Sequence, residues 1–381
     1  MKKLLSVLLS AALLIGITGL TGCNLAKDEF LFEYKEELGG IEITGFRMGF
    51  GHPSAIEIPT KLDGESVVSI GAGAFSGISG VSKIEIPLTV KYIGDGAFSN
   101  GDFSEITIPI GVTSIGKGAF ANTNIEEITI PFTVTSIGEG AFSYCHRLAG
   151  INVHEDNEYF TSENGVLFDK AKTILIAFPI NKSVIYEIPD TVTRIGESAF
   201  AHYKGISVTL PESLTEIGDF AFAFSDALKT ITIPANVTSI GDGAFSFIET
   251  LEEITVDSGN VSFIIENGGL LDRAMTTFIA YPAAMRGERY EIPDGVTHIA
   301  HGAFSLSQLT EIIIPDSVTS IGIRAFQECL SLVEIRIPDS VTSIGNRAFF
   351  RCDSLERVVF RNIEYSYENI SELYAAINDD G

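Results

Sequence analysis

Ten of the Ala-Phe pairs in this chain of 381 residues recur at nearly constant intervals. Successive phenylalanines are 22 or 23 residues apart, except for two intervals of 58 and 59. The ten are Phe75, Phe98, Phe120, Phe142, Phe200, Phe222, Phe245, Phe304, Phe326 and Phe349. From the second onward, a proline precedes each phenylalanine by eleven residues. Such a period predicts a solenoid, in which each repeat buries its apolar side chains against its neighbours.

The segment ITIPFTVTSIGEGAF, which ends at Phe142, represents the repeat. Ile128 and Ile130 alternate with polar residues, a pattern that predicts a half-buried strand. Pro131 ends that strand because proline has no N–H to donate to a ladder. Val134 is predicted to point inward, and Phe142 to fill the core of its coil. These repeated residues are therefore interpreted as structural, and candidate functional residues are sought at the positions that vary between repeats.

Two related inserts occupy the long intervals, ENGVLFDKAKTILIAFP at 163–179 and ENGGLLDRAMTTFIAYP at 266–282. In each, two β-rich runs flank a short polar turn. The pairs Asn164-Gly165 and Asn267-Gly268 are tight-turn signals. We therefore expect a β-hairpin laid on the solenoid in each insert, at about 155–188 and 258–292.

The N-terminus carries an export signal: Lys2 and Lys3 precede an apolar run that ends at Leu20. The sequence Leu-Thr-Gly-Cys, ending at Cys23, resembles a bacterial lipobox, and this resemblance implies lipidation of Cys23 and removal of residues 1–22. An ordinary signal peptide that happens to end near a cysteine is the alternative. A tether at 23–29 would reach at most about 20 Å, so the domain would lie close to its membrane.

The formal net charge is −25, and loss of residues 1–22, which contain two lysines and no acids, makes it −27. A nucleic-acid partner is therefore not expected, because phosphate binding requires clustered Lys and Arg. Basic patches or cations are the favoured partners of such a surface.

The remaining cysteines, Cys145, Cys329 and Cys352, each lie three residues after a repeat phenylalanine. Buried free thiols are the favoured interpretation. Because neighbouring strands lie about 4.8 Å apart, a Cys329–Cys352 disulfide stays open as the alternative.

Candidate binding residues lie at the outward positions of the predicted strand face, four and two residues before each proline or its equivalent. They are Glu105, Thr107, Glu127, Thr129, Thr230, Thr232, Glu253, Thr255, Glu311, Glu334 and Arg336. Glutamates of neighbouring repeats, such as Glu105 and Glu127, should stack as like charges. This face is either merely solvated or an acidic, Thr-lined strip that receives basic ligand segments.

Catalytic and metal-site motifs are missing from the sequence. The six histidines include no H-E-x-x-H or Cys/His ligand spacing, and His298 and His301 are expected to be an exposed pair. There is no G-x-S-x-G, P-loop or EF-hand pattern. We expect no catalytic residues, no bound metal and no cofactor.

The pattern IPxxVTSIGxxAFxxC, together with the ENGVLFD…FP inserts, resembles the BspA-like leucine-rich repeats of bacterial surface antigens over roughly residues 40–360. This resemblance implies a right-handed, mostly β leucine-rich-repeat solenoid with a parallel strand face. We expect an N-terminal cap with an enlarged first repeat at 30–75, a solenoid at 76–360, and a cap helix and tail at 361–381.

Relatives in this family include adhesins for host matrix proteins such as fibronectin and fibrinogen. The resemblance therefore implies a non-enzymatic, lipid-anchored protein of the cell envelope that binds extracellular matrix or other cell-surface proteins, and we expect a monomer. A structural envelope lipoprotein that contacts cell-wall glycan is the alternative.

Overall fold

The computed structural model describes residues 31–37, 39–47, 54–182 and 186–378. The chain divides into two compact units: one extends to Lys170 and includes Ala177–Lys182, and the other contains Ala171–Ile176 and the described residues from 186 onward. Each unit is a stretch of mostly β solenoid with parallel strands, as the repeat predicts. Cys23 and the expected signal peptide and tether lie outside the described residues.

Short parallel strands precede the prolines and form one face of each unit; we call them the face strands. In the first unit they are Ala55–Glu57, Lys83–Glu85, Glu105–Thr107, Glu127–Ile130 and Gly150–Val153. In the second they are Thr230–Ile233, Glu253–Val256, Arg289–Glu291, Glu311–Ile313, Glu334–Ile337 and Arg357–Phe360. In Glu334–Ile337 the two isoleucines are buried and Glu334 and Arg336 point outward, because successive side chains of a strand alternate between faces. Ile313, at an outward position of Glu311–Ile313, is only half-buried.

A second set, the corner strands, follows the valine of each repeat. In the first unit these are Glu65–Ile70, Tyr92–Ile93, Ser114–Ile115 and Ser136–Ile137. In the second they are Ile174–Ala177, Arg194–Ile195, Glu216–Ile217, Ser239–Ile240, Thr277–Ala280, His298–Ile299, Ser320–Ile321 and Ser343–Ile344. They pair in parallel, for example Ile299 with Ile321 and Ile321 with Ile344.

The repeat phenylalanines fill the core as predicted. The Phe120 ring is fully buried and stacks on Phe98 and Phe142 with centroids 5.5 and 5.6 Å apart. In the second unit, Phe326 and Phe349 stack at 5.2 Å. In most coils the phenylalanine N–H donates to an alanine carbonyl of the next coil, as Phe120 does to Ala141 at 2.9 Å. Runs of stacked aromatic rings, held by backbone hydrogen bonds, therefore fill the core of each unit.

Hydroxyl groups add a side-chain ladder between coils. Where a threonine follows the valine, it donates to the preceding coil, as Thr319 Oγ1 does to the Thr297 carbonyl at 3.1 Å, so these threonines support the packing of the strands. In several coils the Ser or Thr before the valine also donates, as Ser340 Oγ does to the Val318 carbonyl at 2.7 Å. This second set of hydrogen bonds was not predicted from the sequence.

The three cysteines of the described chain are free and buried, so the Cys329–Cys352 disulfide is not formed. Each thiol donates to the carbonyl of a phenylalanine in the preceding coil, at 3.1 Å for Cys145 and Cys329 and 3.0 Å for Cys352. Burial raises the pKa of the Cys145 and Cys329 thiols. The favoured interpretation, buried structural thiols, is confirmed.

Each insert contains the expected hairpin, Phe160–Glu163 with Val166–Asp169 and Phe263–Glu266 with Gly269–Asp272. Asn164 and Asn267 have φ of 51° and 50° in the turns. In the second insert the two β-rich runs pair antiparallel across the polar turn as expected, Gly269–Asp272 with Thr277–Ala280, and Thr277–Ala280 also pairs parallel with His298–Ile299. This third strand joins the corner strands, so the insert is built into the solenoid rather than only laid on it.

A buried asparagine anchors each insert. The amide of Asn157 donates to the carbonyls of Pro131 and Val134 and accepts from the N–H groups of Tyr159 and Phe160. Asn260 makes the equivalent four bonds. In other coils a Ser or Thr hydroxyl reaches the valine carbonyl, so the asparagine replaces that hydroxyl where the insert interrupts the repeat.

The ends of the described chain are capped. Leu31–Glu37 and Gly40–Arg47 form the predicted antiparallel hairpin, and Lys61–Leu62 pairs antiparallel with Glu65–Ile70 in the enlarged first repeat. At the other end, Ile363–Tyr365 pairs antiparallel with the last face strand and precedes a 3-10 turn, Tyr367–Asn369.

The predicted C-terminal helix spans Ile370–Asn378. The Tyr374 hydroxyl accepts from Phe349 N–H at 3.0 Å, and the Asn378 amide bonds both backbone groups of Ile344 at 3.1 Å. The helix thus satisfies backbone groups of the last coil. Across the described ranges, the structure contains no helix of the length and apolarity needed to cross a bilayer.

Candidate functional site

The face strands carry all eleven candidate residues of the sequence analysis. Ten of them are exposed and Thr255 is half-buried. Glu105, Thr107, Glu127 and Thr129 belong to the first unit, and the other seven belong to the second. Because successive strands pair in register, equivalent outward side chains form columns along each face.

In the second unit the expected acidic column is neutralised by arginines. Arg289 Nε lies 3.5 Å from a Glu311 carboxylate oxygen, and Arg357 lies 2.9 Å from Glu334. The order along the column is therefore Arg289, Glu311, Glu334, Arg357. Glu311 and Glu334 are neighbours in register, as expected, but each has a cation on its other side. Sequence analysis missed both arginines, although Arg289 lies four residues before Pro293, the same position as the glutamates.

Another part of this face carries hydroxyls and one carboxylate. Thr230 and Thr232 pair in register with Glu253 and Thr255, and the hydroxyls of Thr232 and Thr255 are 2.8 Å apart. Just before these strands, Lys229 forms an ion pair of 2.8 Å with Glu252. Acidic and basic groups are thus matched in several places on the second unit's face, with Glu253 as an exception among the described residues.

The ladder of face strands is interrupted in both units: in the second unit at the insert, between Glu253–Val256 and Arg289–Glu291, and in the first unit between two consecutive coils that no insert separates. Lys83–Glu85 and Glu105–Thr107 belong to one sheet, whereas Glu127–Ile130 pairs only with Gly150–Val153. A groove of about 440 Å³ lies at the interruption. It is lined by Lys83, Ser104, Glu105, Ile106, Thr107, Glu126 and Glu127. We call this site the acidic groove.

The charges of the acidic groove are only partly matched. Glu126 forms an ion pair with Arg147, and Lys83 pairs with Glu85 of its own strand at 2.6 Å. Among the described residues, Glu105 and Glu127 have no Lys, Arg or His nitrogen within 4.0 Å. Glu105 and Glu127 are therefore exposed carboxylates on neighbouring coils that form no ion pair with a described residue, although Lys83 lies in register with Glu105 and lines the same groove. Acidic groups outnumber basic ones in this lining, which favours a positively charged ligand.

An exposed apolar row begins where the same strands end. Leu88, Ile110 and Phe132 directly follow the prolines of three successive coils and are 68%, 60% and 44% exposed. The Phe132 ring lies 5.5 Å from the His154 ring. In the second unit the residue after the proline is acidic in five of six coils, namely Asp190, Glu212, Asp294, Asp316 and Asp339. In the remaining coil it is Ala235. The repeat alignment contained this difference, but the sequence analysis did not use it.

The described residues offer no site for metal chemistry, since no three His, Cys, Asp or Glu side chains lie close enough to hold an ion. His298 is exposed and its Nδ1 lies 2.6 Å from the Thr297 hydroxyl. His301 is half-buried and faces Asp242 at 3.7 Å. The carboxylates and the exposed apolar side chains of the first unit's face are suited to recognising a ligand by charge and apolar contact.

Comparison with known proteins agrees with this architecture. The family model described as the BspA type leucine rich repeat region matches in six copies, over residues 54–170, 177–267 and 284–373. The chain belongs to this family of BspA-type leucine-rich-repeat proteins. Leucine-rich-repeat solenoids are non-enzymatic scaffolds whose extended surfaces typically bind proteins.

Several solved structures are similar to this chain. A leucine-rich repeat protein from Eubacterium ventriosum is 24% identical, with 86% of this chain and 95% of that chain covered and a TM-score of 0.56. A leucine rich cell surface protein from Faecalibacterium prausnitzii is 22% identical over 92% and 96% of the two chains, with a TM-score of 0.40. One from Bacteroides ovatus is 23% identical over 89% of each, with a TM-score of 0.35. No curated protein sequence matches the chain.

Proposed function

We propose that this protein is exported, anchored by lipid on Cys23 at the cell surface, and binds a protein partner through the acidic groove of its first unit. One observation carries the proposal. Glu105 and Glu127 form no ion pair within 4.0 Å among the described residues, although Lys83 lies in register with Glu105, whereas Glu311 and Glu334, at the same repeat position, are paired with arginines. Glu253 of the second unit also forms no ion pair with a described residue, but its in-register neighbour is Thr230, whereas the groove has two such carboxylates on neighbouring coils.

The exposed apolar row beside the groove supports a protein rather than a free cation as the ligand. Leu88, Ile110 and Phe132 present large apolar side chains to water, and protein interfaces combine such anchors with matched charges. The partner should therefore present basic side chains next to apolar ones. Extracellular matrix proteins and other cell-surface proteins are the partner class that the family resemblance implies.

Binding of the purified mature chain to immobilised fibronectin and fibrinogen tests the groove. The variant Glu105→Gln/Glu127→Gln should weaken binding about tenfold or more, because it removes two unmatched charges from the interface. The matched control is Glu311→Gln/Glu334→Gln, which changes the same repeat position and the same net charge. Equal losses of affinity in both variants, or no loss in either, would show that the acidic groove is not the binding site.

The alternative role, contact with cell-wall glycan, predicts a different result in the same assay. Retention by purified cell wall without binding to either matrix protein would favour the structural envelope role. Mass spectrometry of the native N-terminus tests the anchor separately, since it should find a lipidated Cys23 as the first residue. An N-terminal residue other than a lipid-modified Cys23 would refute the lipid anchor but would not affect the proposal that the acidic groove binds a protein.

A further inference from the structure

Arginine is concentrated near the C-terminal end of this acidic chain. Six of the twelve arginines lie between residues 324 and 361, a segment with five acidic residues and no lysine. The segment thus has a small positive charge in a chain whose net charge is −25. Its arginines are not spread evenly over the surface: Arg347 and Arg351 lie close to the exposed Phe350 ring, and Arg324, on the preceding coil, lies over the Phe247 ring.

Arg324 and Arg347 occupy a backbone position that glycine fills in most coils. This position, two residues before the core phenylalanine, has a positive φ in all ten repeats. Glycine is found at Gly73, Gly96, Gly118, Gly140, Gly243 and Gly302. Arg324 and Arg347 have φ of 56° and 59°, a left-handed conformation that costs a side chain with a Cβ more than it costs glycine. Stability of the coil alone therefore favours glycine at both positions.

The two arginines also lie on successive coils without carboxylates to neutralise them. Arg324 N–H donates to the carbonyl of Asn346, the residue before Arg347, at 3.1 Å. Within the described part of the chain, neither guanidinium has an Asp or Glu oxygen within 4.0 Å. Like charges on neighbouring coils repel each other. Two unfavourable features thus coincide at one place.

An exposed aromatic side chain completes the patch. Phe350 is 40% exposed, and the guanidinium carbons of Arg347 and Arg351 lie 5.3 and 5.6 Å from its ring centroid. The other nine repeats have Ser, Ala or Gln at this position. In the coil before it, the buried Gln327 Oε1 has no hydrogen-bond donor. We call Arg324, Arg347, Phe350 and Arg351 the arginine cluster.

We propose that the arginine cluster is a binding site for an anionic polysaccharide carrying sulfate, phosphate or carboxylate groups. The planar guanidinium matches these oxyanions with paired hydrogen bonds. Phe350 supplies an apolar surface of the kind on which the C–H face of a sugar ring packs. This site is separate from the acidic groove and has the opposite charge.

A polysaccharide fits better than an acidic protein or a nucleic acid. A narrow chain touches only the cluster, and at physiological salt charges beyond about 8 Å are largely screened. An acidic protein would bring a broad negative surface against a molecule of charge −25. A nucleic acid would need a longer basic track than three arginines provide.

The test measures binding of the purified mature chain to heparin, dextran sulfate, a phosphate-bearing teichoic acid and hyaluronan, with neutral dextran and poly-glutamate as comparisons. The variant Arg324→Gly/Arg347→Gly restores the residue of the other coils, so it should fold at least as well as the parent. The matched control Arg286→Gly/Arg336→Thr removes the same charge elsewhere on the second unit.

Parent and control should bind at least one anionic glycan, and the glycine variant should bind it at least tenfold more weakly. The slope of log affinity against log salt should also fall in magnitude by about two charges. The preferred glycan identifies which oxyanion the cluster recognises. Absence of binding to every anionic glycan, an equal loss in the control, or equal binding to poly-glutamate would overturn the proposal.

Discussion

Replacing Asn260 by alanine should destabilise the second unit more than any surface change of similar size. The side chain is 2% exposed. Its Nδ2 donates to the carbonyls of Pro234 and Val237 at 2.8 and 3.0 Å, and its Oδ1 accepts from two backbone N–H groups at 2.8 Å. Alanine leaves all four backbone groups without this partner in a place that water does not reach.

The magnitude follows from those four bonds. A buried hydrogen bond contributes about 1 kcal/mol net, and a buried group left without a partner costs about as much or more. The Pro234 carbonyl keeps a weaker bond of 3.3 Å from Val237 N–H, so three groups lose their partner completely. We therefore expect Asn260→Ala to lower the free energy of unfolding by about 3 kcal/mol.

Urea denaturation followed by circular dichroism measures the loss. Because repeat arrays can unfold in parts, hydrogen exchange of the Ser262 and Phe263 amides should accompany it and should accelerate in the variant. Asn236→Ala is the matched control: Asn236 is exposed and makes one bond, to the Glu212 carbonyl at 2.7 Å. A loss for Asn260→Ala below about 1 kcal/mol, or no larger than the control's, would refute the assigned role.

Three further predictions concern the core and the C-terminal cap. Phe120→Ala should cost about 3–5 kcal/mol, because its buried ring stacks on two neighbours; a loss below about 1 kcal/mol in urea denaturation would contradict this. Cys329→Ser should cost less than about 1 kcal/mol, since Ser225 occupies the equivalent position and donates the same bond to the preceding coil; the parent thiol should react with a thiol reagent only after unfolding. Burial raises the pKa of Tyr374 from 10.0 to about 12. The stability of the cap should therefore be unaffected below pH 10 and should fall as the pH rises from 10 to 12, because the phenol ionises at a lower pH in the unfolded chain than in the folded one. Tyrosinate absorbance and helix content should follow this change in the parent, and Tyr374→Phe should lack that pH dependence.

Much of the scaffold was predictable because each coil repeats one set of physical requirements. The spacing of phenylalanine and proline located the face strands, and alternation decided which side chains point inward, as in Ile335 and Arg336. The cysteine positions predicted buried thiols for the same reason. A cap helix was expected within 361–381, and the structure places it at Ile370–Asn378.

The charge pattern of the face was less predictable, because ion pairs depend on the register between coils. Glu311 and Glu334 were expected to stack as like charges, and they do lie in register. Their outer neighbours, Arg289 and Arg357, determine the electrostatics of that column. Alignment of the repeats on their prolines could have found Arg289. It could not have found Arg357, because Arg361 replaces the proline in that repeat.

The acidic groove and the asparagine anchors could not be predicted from the sequence, for a different reason. A solenoid pattern predicts a continuous ladder, and nothing in the spacing shows that it is interrupted between Glu105–Thr107 and Glu127–Ile130. Asn157 and Asn260 do have a signal, since they recur at the same offset as the inserts. An asparagine near an insert is usually assigned to a turn, and only the four bonds reveal that its amide replaces a hydroxyl of the ladder.

The equivalence of Asn157 and Asn260 has an evolutionary consequence. They are 103 residues apart, and each presents the same amide bonds to the coil before it and the same hairpin after it. The stretch between them, which contains three Ala-Phe coils, therefore begins and ends with interchangeable junctions. Unequal recombination between the two copies could add or remove a whole block in one step and leave every junction chemically unchanged. The number of coils in this lineage can thus vary by blocks, without passing through sequences that cannot fold.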